Sequence, residues 1–274
     1  MKRKTGKPFW TIPLIISLIF IFNLPFLNVI MTSLKSEADI SKSPPPLIFK
    51  PTFEHYKNIF ANPTFHFVQF LTNSTVIAVL SATFAIILCL PAAYVITRYN
   101  VGRKFLLPFS VSFRAIPLVI FAVPIYVLYN RLNLVDTRIG LVLIHTLINV
   151  PLAMMLLVNF IQDIPKEIEE AAKIDGAGDF KILTNIVTPM MISPIISIFI
   201  LNFIYSWNEF LFALIMSIKK ATTLTVGASL FITAWGVQWG NIAAATTVSV
   251  VPPLILTFYI QRYLVEAFTG GLKG

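Results

Sequence analysis

Apolar runs of roughly 20 residues recur along the whole chain with few charges inside them, and that length matches a hydrocarbon core about 30 Å thick. TIPLIISLIFIFNLPFLNVIM and STVIAVLSATFAIILCLPAAYVIT are two of them. None alternates polar and apolar residues over about ten positions, as the strands of a membrane barrel would. The expected fold is therefore all-α, a polytopic membrane helix bundle of about six transmembrane helices. The spans are drawn at 9–31, 75–97, 105–129, 139–161, 190–217 and 243–264. Prolines lie inside most of them, among them Pro91, Pro117, Pro151, Pro194 and Pro252, so bent helices packed on one another are expected.

Composition narrows the function classes. The chain is 57% hydrophobic and 12% charged, where a soluble domain carries about 25% charge. A formal charge of +9 could suggest nucleic acid, but the basic residues are scattered among short loops with no basic stripe, so interfacial anchoring is the better reading. The single cysteine, Cys89, lies in an apolar run and cannot build a disulfide framework or a thiolate metal site within the chain. The basic head MKRKTGK is followed by an apolar run too long for a signal peptide, which points to a retained first span.

Lys and Arg set the orientation. Lys2, Arg3, Lys4 and Lys7 flank the first span, and placing them inside puts both termini and the Glu169 segment in the cytoplasm of a bacterial or archaeal plasma membrane. The piece from Thr32 to Leu71, with its proline run SKSPPP, then lies outside.

One segment is neither apolar nor simply a linker. EEAAKIDGAGDFKILTNIVTPMM, Glu169 to Met191, sits between the fourth and fifth spans. Pro165 after Asp163 is a helix-start signal, so KEIEEAAKID should form a short helix with Ile168, Ala171, Ala172 and Asp175 on one face. Gly176, Ala177 and Gly178 break it, Asp179 caps a second helix from Phe180, and Pro189 bends that helix near the membrane. The product is a narrow helix-turn-helix knob with small side chains, a shape that fits a socket on another protein. A plain surface loop is the alternative.

These residues resemble a known pattern. Glu170-Ala171-Ala172, Asp175-Gly176-Ala177, Ile186 and Pro189 look like the EAA loop of the inner-membrane permease subunits of ABC importers, with Thr188 where leucine is more usual. The stretch from Asn73 to Leu264 resembles the type I ABC importer transmembrane domain, and Ser206-Trp207-Asn208-Glu209-Phe210 with the ending Leu264 to Gly274 looks like its carbohydrate branch, maltose-transporter type. The resemblance implies three pieces: residues 1–71, a transmembrane domain at 72–264 carrying the loop at 163–190, and a cytoplasmic tail at 265–274. It also implies a half-permease for sugar that pairs with a second permease subunit, sits on two ATPase subunits that hold ATP and Mg, and receives cargo from an external solute-binding protein. No GxxxxGK[ST] sequence occurs in the chain, so the usual nucleotide cradle would have to come from a partner, and no cofactor is expected here. On this account the chain is not an enzyme. Glu170 would make a charge-assisted contact or steady the loop, Ala171 and Ala172 would permit close approach, and Gly176 would set the turn.

Polar groups inside spans are functional candidates by default. Arg114 and Asn149 fall near mid-bilayer and could meet, while His145 and Glu209 lie at comparable depth beside Trp207 and Asn208. Together they outline a possible translocation pathway; each could equally be a structural hydrogen-bond partner. Two other classes compete. A secondary transporter or channel would need paired membrane carboxylates, whereas Glu209 is the only acid placed inside a span. A membrane enzyme would need a cluster that His55, His66 and His145 do not form by spacing. An ABC permease for amino acids or peptides would differ in cargo alone.

Overall fold

The structure is a computed structural model that describes residues 10–62, 65–234 and 236–269, with side chains to Gln261. The basic N-terminus used for orientation and the glycine-rich end of the tail lie outside the described residues.

In chain order the elements are α1 (Thr11–Ser33), α2 (Glu37–Ile40), α3 (Glu54–Ala61), α4 (Phe67–Tyr99), α5 (Arg103–Ala115), a 3-10 turn (Leu118–Phe121), α6 (Ala122–Arg131), α7 (Arg138–Gln162), α8 (Lys166–Ile174), α9 (Asp179–Ile182), a π turn (Leu183–Val187), α10 (Thr188–Met190), α11 (Ile192–Trp207), α12 (Leu211–Met216), α13 (Leu224–Ser229), β1 (Ile232–Thr233), β2 (Gly236–Val237) and α14 (Trp239–Thr269). Helix dominates as expected, with one departure: β1 and β2 form a two-residue antiparallel hairpin. Among the described residues four helices are long and apolar enough to cross a membrane, and six spans result if each of two bent pairs is one span.

Those bent pairs correct two of the predicted spans. The run at 105–129 is not one straight helix; α5 and the helix from Leu118 to Arg131 meet at 95°. Pro117 is the cause, because its ring disfavours the helical conformation at the residue before it, and Ile116 is extended at φ −77°, ψ 128°. The run at 190–217 likewise divides: α11 ends at Trp207, and the helical stretch before it, Asp179–Met190, is bent from α11 by 78°. Pro91 and Pro151, by contrast, stay inside α4 and α7 without ending them.

The chain forms two compact units. In the first, 1–66 with 228–250, buried His55 on α3 has Nδ1 3.2 Å from Asn241 Oδ1 and Nε2 2.8 Å from the Lys35 carbonyl, Ser33 and Tyr56 hydroxyls meet at 2.7 Å, and Phe65 and Phe231 rings pack at 4.3 Å. A β-carbon at Gly240 would fall 2.2 Å from the His55 ring, so glycine at the second position of α14 permits this approach.

The second unit, 67–227 with 251–274, is built on α4 packed along α7 and α11. Ala78, Ala82, Ala85, Cys89 and Ala93 recur at helical spacing on α4 and are all buried, and such a small-residue stripe lets neighbouring backbones approach closely. α7 starts where Thr137 Oγ1 accepts the Gly140 N–H at 3.0 Å. At that end of α7 the Asp136 carboxylate accepts N–H groups from Ile218, Lys219, Lys220 and Ala221 at 2.9–3.1 Å. Asn73 donates to the Lys220 and Thr222 carbonyls at 2.9 and 2.8 Å and accepts from Arg138 at 2.7 Å. Burial alone would raise the Asp136 pKa, but the four N–H groups outweigh it and hold the carboxyl below its ordinary value.

Candidate functional site: a charged loop and a polar seam

The loop predicted at 163–190 begins at the opposite end of α7. α8 ends in a Schellman arrangement: the Ala177 N–H donates to the Ala172 carbonyl at 2.9 Å and the Gly176 N–H to the Lys173 carbonyl at 3.0 Å, with Gly176 at φ +82°. That left-handed backbone is where an L side chain is strained, so the expected role of Gly176 in the turn has a geometric basis. Gly178, not Asp179, occupies the cap position of α9; Asp179 instead lies in its first turn and pairs with Lys173 at 3.1 Å. Lys173 also donates to the Tyr99 hydroxyl at 3.2 Å. Tyr99 and then Lys173 hold the Asp179 carboxyl below its ordinary value, while Tyr99 and Asp179 raise Lys173. The bend expected near Pro189 falls one residue beyond α10, after a π turn in which Thr188 Oγ1 bonds the Leu183 carbonyl at 2.7 Å.

The sides of α8 differ from the sequence expectation. Glu169 is its one buried side chain, and Ala172, one turn on, packs half-buried against the apolar core of α4, α7 and α11. Ala177 packs there too. Ala171, Asp175 and Glu170 face outward, and Ile174 and Phe180 stand 87% and 80% exposed. The steadying contact expected of Glu170 belongs to its neighbour: Glu169 accepts from Tyr94 Oη at 2.9 Å and from Arg98 Nε at 2.7 Å. The Glu170 side chain makes no ion pair or hydrogen bond among the described residues.

Mid-span, the structure gathers part of the predicted set. His145 Nε2 lies 3.1 Å from Glu209 Oε2, and Glu209 also accepts the Phe212 and Ala213 N–H groups at 2.9 and 3.0 Å, so it caps α12. Asn149 does not meet Arg114. It donates to Ser206 Oγ at 2.8 Å, and Ser206 in turn meets Ser81 at 2.9 Å, which gives a polar seam across α7, α11 and α4. Ser81, Asn202 and Ser206 are not among the pathway candidates read from sequence; the i and i+4 spacing of Asn202 and Ser206 on α11 is the available signal, and Ser81 on α4 leaves none. Buried polar atoms without a partner collect along this seam: His145 Nδ1, Asn149 Oδ1 and both side-chain polar atoms of Asn202.

Arg114, at the end of α5, is exposed, with its guanidinium 5.9 Å from the Tyr205 ring centre. Tyr205, Asn208 and Glu209 line a cavity of about 520 Å³ together with Leu118, Leu152 and Ile204. Trp207 is turned away from it, buried and stacked on Phe203 at 5.4 Å. No group of three or more His, Cys, Asp or Glu residues able to hold a metal occurs among the described residues.

Comparison with known proteins follows the same lines. The family described as the binding-protein-dependent transport system inner membrane component matches residues 85–270. The sulfoquinovosyl glycerol transport system permease protein of Agrobacterium fabrum is 34% identical over 254 residues, covering 91% of this chain and 88% of that one. The trehalose/maltose transport system permease protein of Thermococcus litoralis is 32% identical over 255 residues, covering 91% of each. Among solved structures, a chain of a bacterial ABC transporter involved in the import of the acidic polysaccharide alginate aligns with a TM-score of 0.73 at 20% identity, over 94% of this chain and 98% of that one, which shows a shared fold.

Proposed function

Because this chain belongs to the family of inner membrane components of binding-protein-dependent transport systems, we propose that it is one permease subunit of an ATP-driven importer of saccharides. It forms half of the translocation pathway beside a second permease subunit, docks an ATPase subunit of the pair beneath the complex through α8 and the Gly176 turn, and takes cargo from an external solute-binding protein. ATP and Mg²⁺ are held by the ATPase subunits; this chain catalyses no reaction of its own. Both termini and α8 lie in the cytoplasm. The saccharide assignment leans on relatives whose names specify trehalose/maltose and sulfoquinovosyl glycerol transport.

The observation that carries the coupling role is the exposed apolar tip of the loop. Ile174 and Phe180 project from an otherwise charged, water-facing segment at 87% and 80% exposure. Apolar side chains in such a place are stabilised when a partner removes them from water, by about 25 cal/mol per Å² buried. Closure of an ATPase dimer on ATP would displace the docked loop, and the membrane part would rock between two openings. ATP shifts that equilibrium only by binding one arrangement better than the other.

The pathway has a supporting geometry: a cavity of about 520 Å³ whose mainly aliphatic wall of leucine and isoleucine also includes Tyr205, Asn208 and Glu209, beside Arg114. Aromatic faces with a few polar groups suit sugar rings and their hydroxyls. His145 and Asn149 stand behind this wall and hold it rather than touch cargo; Trp207 packs the core behind it.

A single cysteine at Ile174, in a Cys89→Ser background, tests the docking. Crosslinking to a co-expressed ATPase subunit, with protection from membrane-impermeant maleimide added outside intact cells, is the expected result. Labelling from outside, or no crosslink in a complex that co-purifies with its ATPase, contradicts it.

A further inference from the structure

α8 spans only Lys166–Ile174, too short to hold itself as an isolated helix. Its covalent neighbour is α7, three residues away through Asp163–Pro165, yet its buried side chain reaches elsewhere. Glu169 turns to the end of α4, where Arg98 Nε donates to Oε1 at 2.7 Å, Arg98 Nη2 lies within salt-bridge distance of the same oxygen, and Tyr94 Oη donates to Oε2 at 2.9 Å. Arg98 Nη2 also donates to the Ile164 carbonyl at 3.0 Å, so one guanidinium holds α8 and the α7–α8 turn together. Both charged side chains are about 95% buried.

Apolar packing alone is non-directional and would let α8 slide or rotate on the core. A planar guanidinium forked between a carboxylate and a carbonyl fixes both position and rotation. We infer that Arg98 and Glu169 form a strut that makes α8 a rigid extension of α4, so that force on the loop enters the membrane through α4 as well as through the flanking α7 and α11. The small-residue stripe of α4 then passes the movement to both helices packed along it. Lys173 and Tyr99 add an exposed second tie between the same two elements at 3.2 Å. Arg98 and Glu169 are thus positioning residues for the coupling proposed above, on which this inference rests.

The test is a distance measurement between nitroxide labels at Glu167→Cys on α8 and Leu88→Cys on α4, both exposed, in a Cys89→Ser background of the complete complex in lipid nanodiscs. The expected result is one narrow distance peak that stays in place when a non-hydrolysable ATP analogue binds. Arg98→Gln should broaden and shift the peak. So should the apolar pair Arg98→Met with Glu169→Leu, which keeps the site filled but removes the directional bonds and so guards against simple misfolding. The exchange Arg98→Glu with Glu169→Arg should restore a narrow peak. A wild-type peak that moves with the analogue, or variants that keep the wild-type peak, overturns the strut. The Ile174 crosslink separates the two claims: its loss removes the docking reading, whereas its persistence with unaltered variant peaks removes only the strut.

Discussion

The His145 imidazole and the Glu209 carboxylate, 64 residues apart, meet at 3.1 Å where α7 crosses the junction of α11 and α12. The same carboxylate closes the first turn of α12 through the Phe212 and Ala213 N–H groups, so one acid joins three elements. Glu209→Ala should leave a buried imidazole and two N–H groups without partners, at about 1–3 kcal/mol for each buried group left unsatisfied. Thermal unfolding of the detergent-solubilised complex should show a clear loss of midpoint, with Glu209→Gln less affected because its carbonyl oxygen can still cap α12. An unchanged midpoint for the alanine variant contradicts the role.

Gly176 predicts a different kind of defect. Nothing lies within 4 Å of where a Cβ would sit, so a side chain meets space but a forbidding backbone at φ +82°. Gly176→Ala should cost about 1–2 kcal/mol locally, and Gly176→Val more, since branching at Cβ makes the left-handed region harder to occupy. Both should reach the membrane in normal amount. The valine variant should hydrolyse ATP in the complex without accumulating cargo, measured as uptake per ATP consumed.

Asp136 makes the far end of α7 sensitive to acid. Its folded pKa lies below the ordinary carboxyl value, because four N–H groups outweigh a burial that would raise it. The carboxylate therefore contributes stability that is present above the unfolded pKa of about 4 and is lost as pH falls through the folded value. Protection of the Ile218–Ala221 amides from hydrogen exchange, taken relative to the intrinsic rate at each pH, should be high at neutral pH and fall below about pH 4. Asp136→Asn keeps a residue that tolerates the observed φ of 58° and should exchange faster at neutral pH with little further change on acidification.

Much of this architecture was legible from apolar run length, and the limits are physical. α4 and α7 could be drawn within a few residues except that α4 begins earlier, at Phe67. Pro117 breaks its run while Pro91 and Pro151 do not, a distinction that depends on packing: α4 and α7 are held along their length by each other and by α11, whereas none of the residues of α5 is buried. The hairpin β1–β2, two residues per strand, is too short to leave an alternating pattern. At the loop, Glu169 and Glu170 are chemically identical neighbours, and only helix phase decides which one faces Arg98, 71 residues away. Depth along a span was enough to bring His145 to Glu209, but not to foresee that Asn149 would choose Ser206 over Arg114.

The first unit offers an independent check on close packing. Gly240→Ala would drive a methyl into the His55 ring, 2.2 Å away, and overpacking of this kind costs about 1–3 kcal/mol. Limited proteolysis of the folded complex should cut within α3, Glu54–Ala61, faster in this variant than in the wild type. An equal rate would mean that His55 yields at no cost.

The central claim is that the chain is a gate worked by a motor it does not contain, and reconstitution tests it most directly. Purified permease pair, ATPase subunits and binding protein in liposomes should accumulate a labelled saccharide, such as trehalose or maltose for the class represented among the relatives, only when ATP is supplied on the ATPase side. The chain alone, or the complex stripped of its ATPase subunits, should accumulate none. Sustained uptake by the isolated chain without ATP would contradict the account.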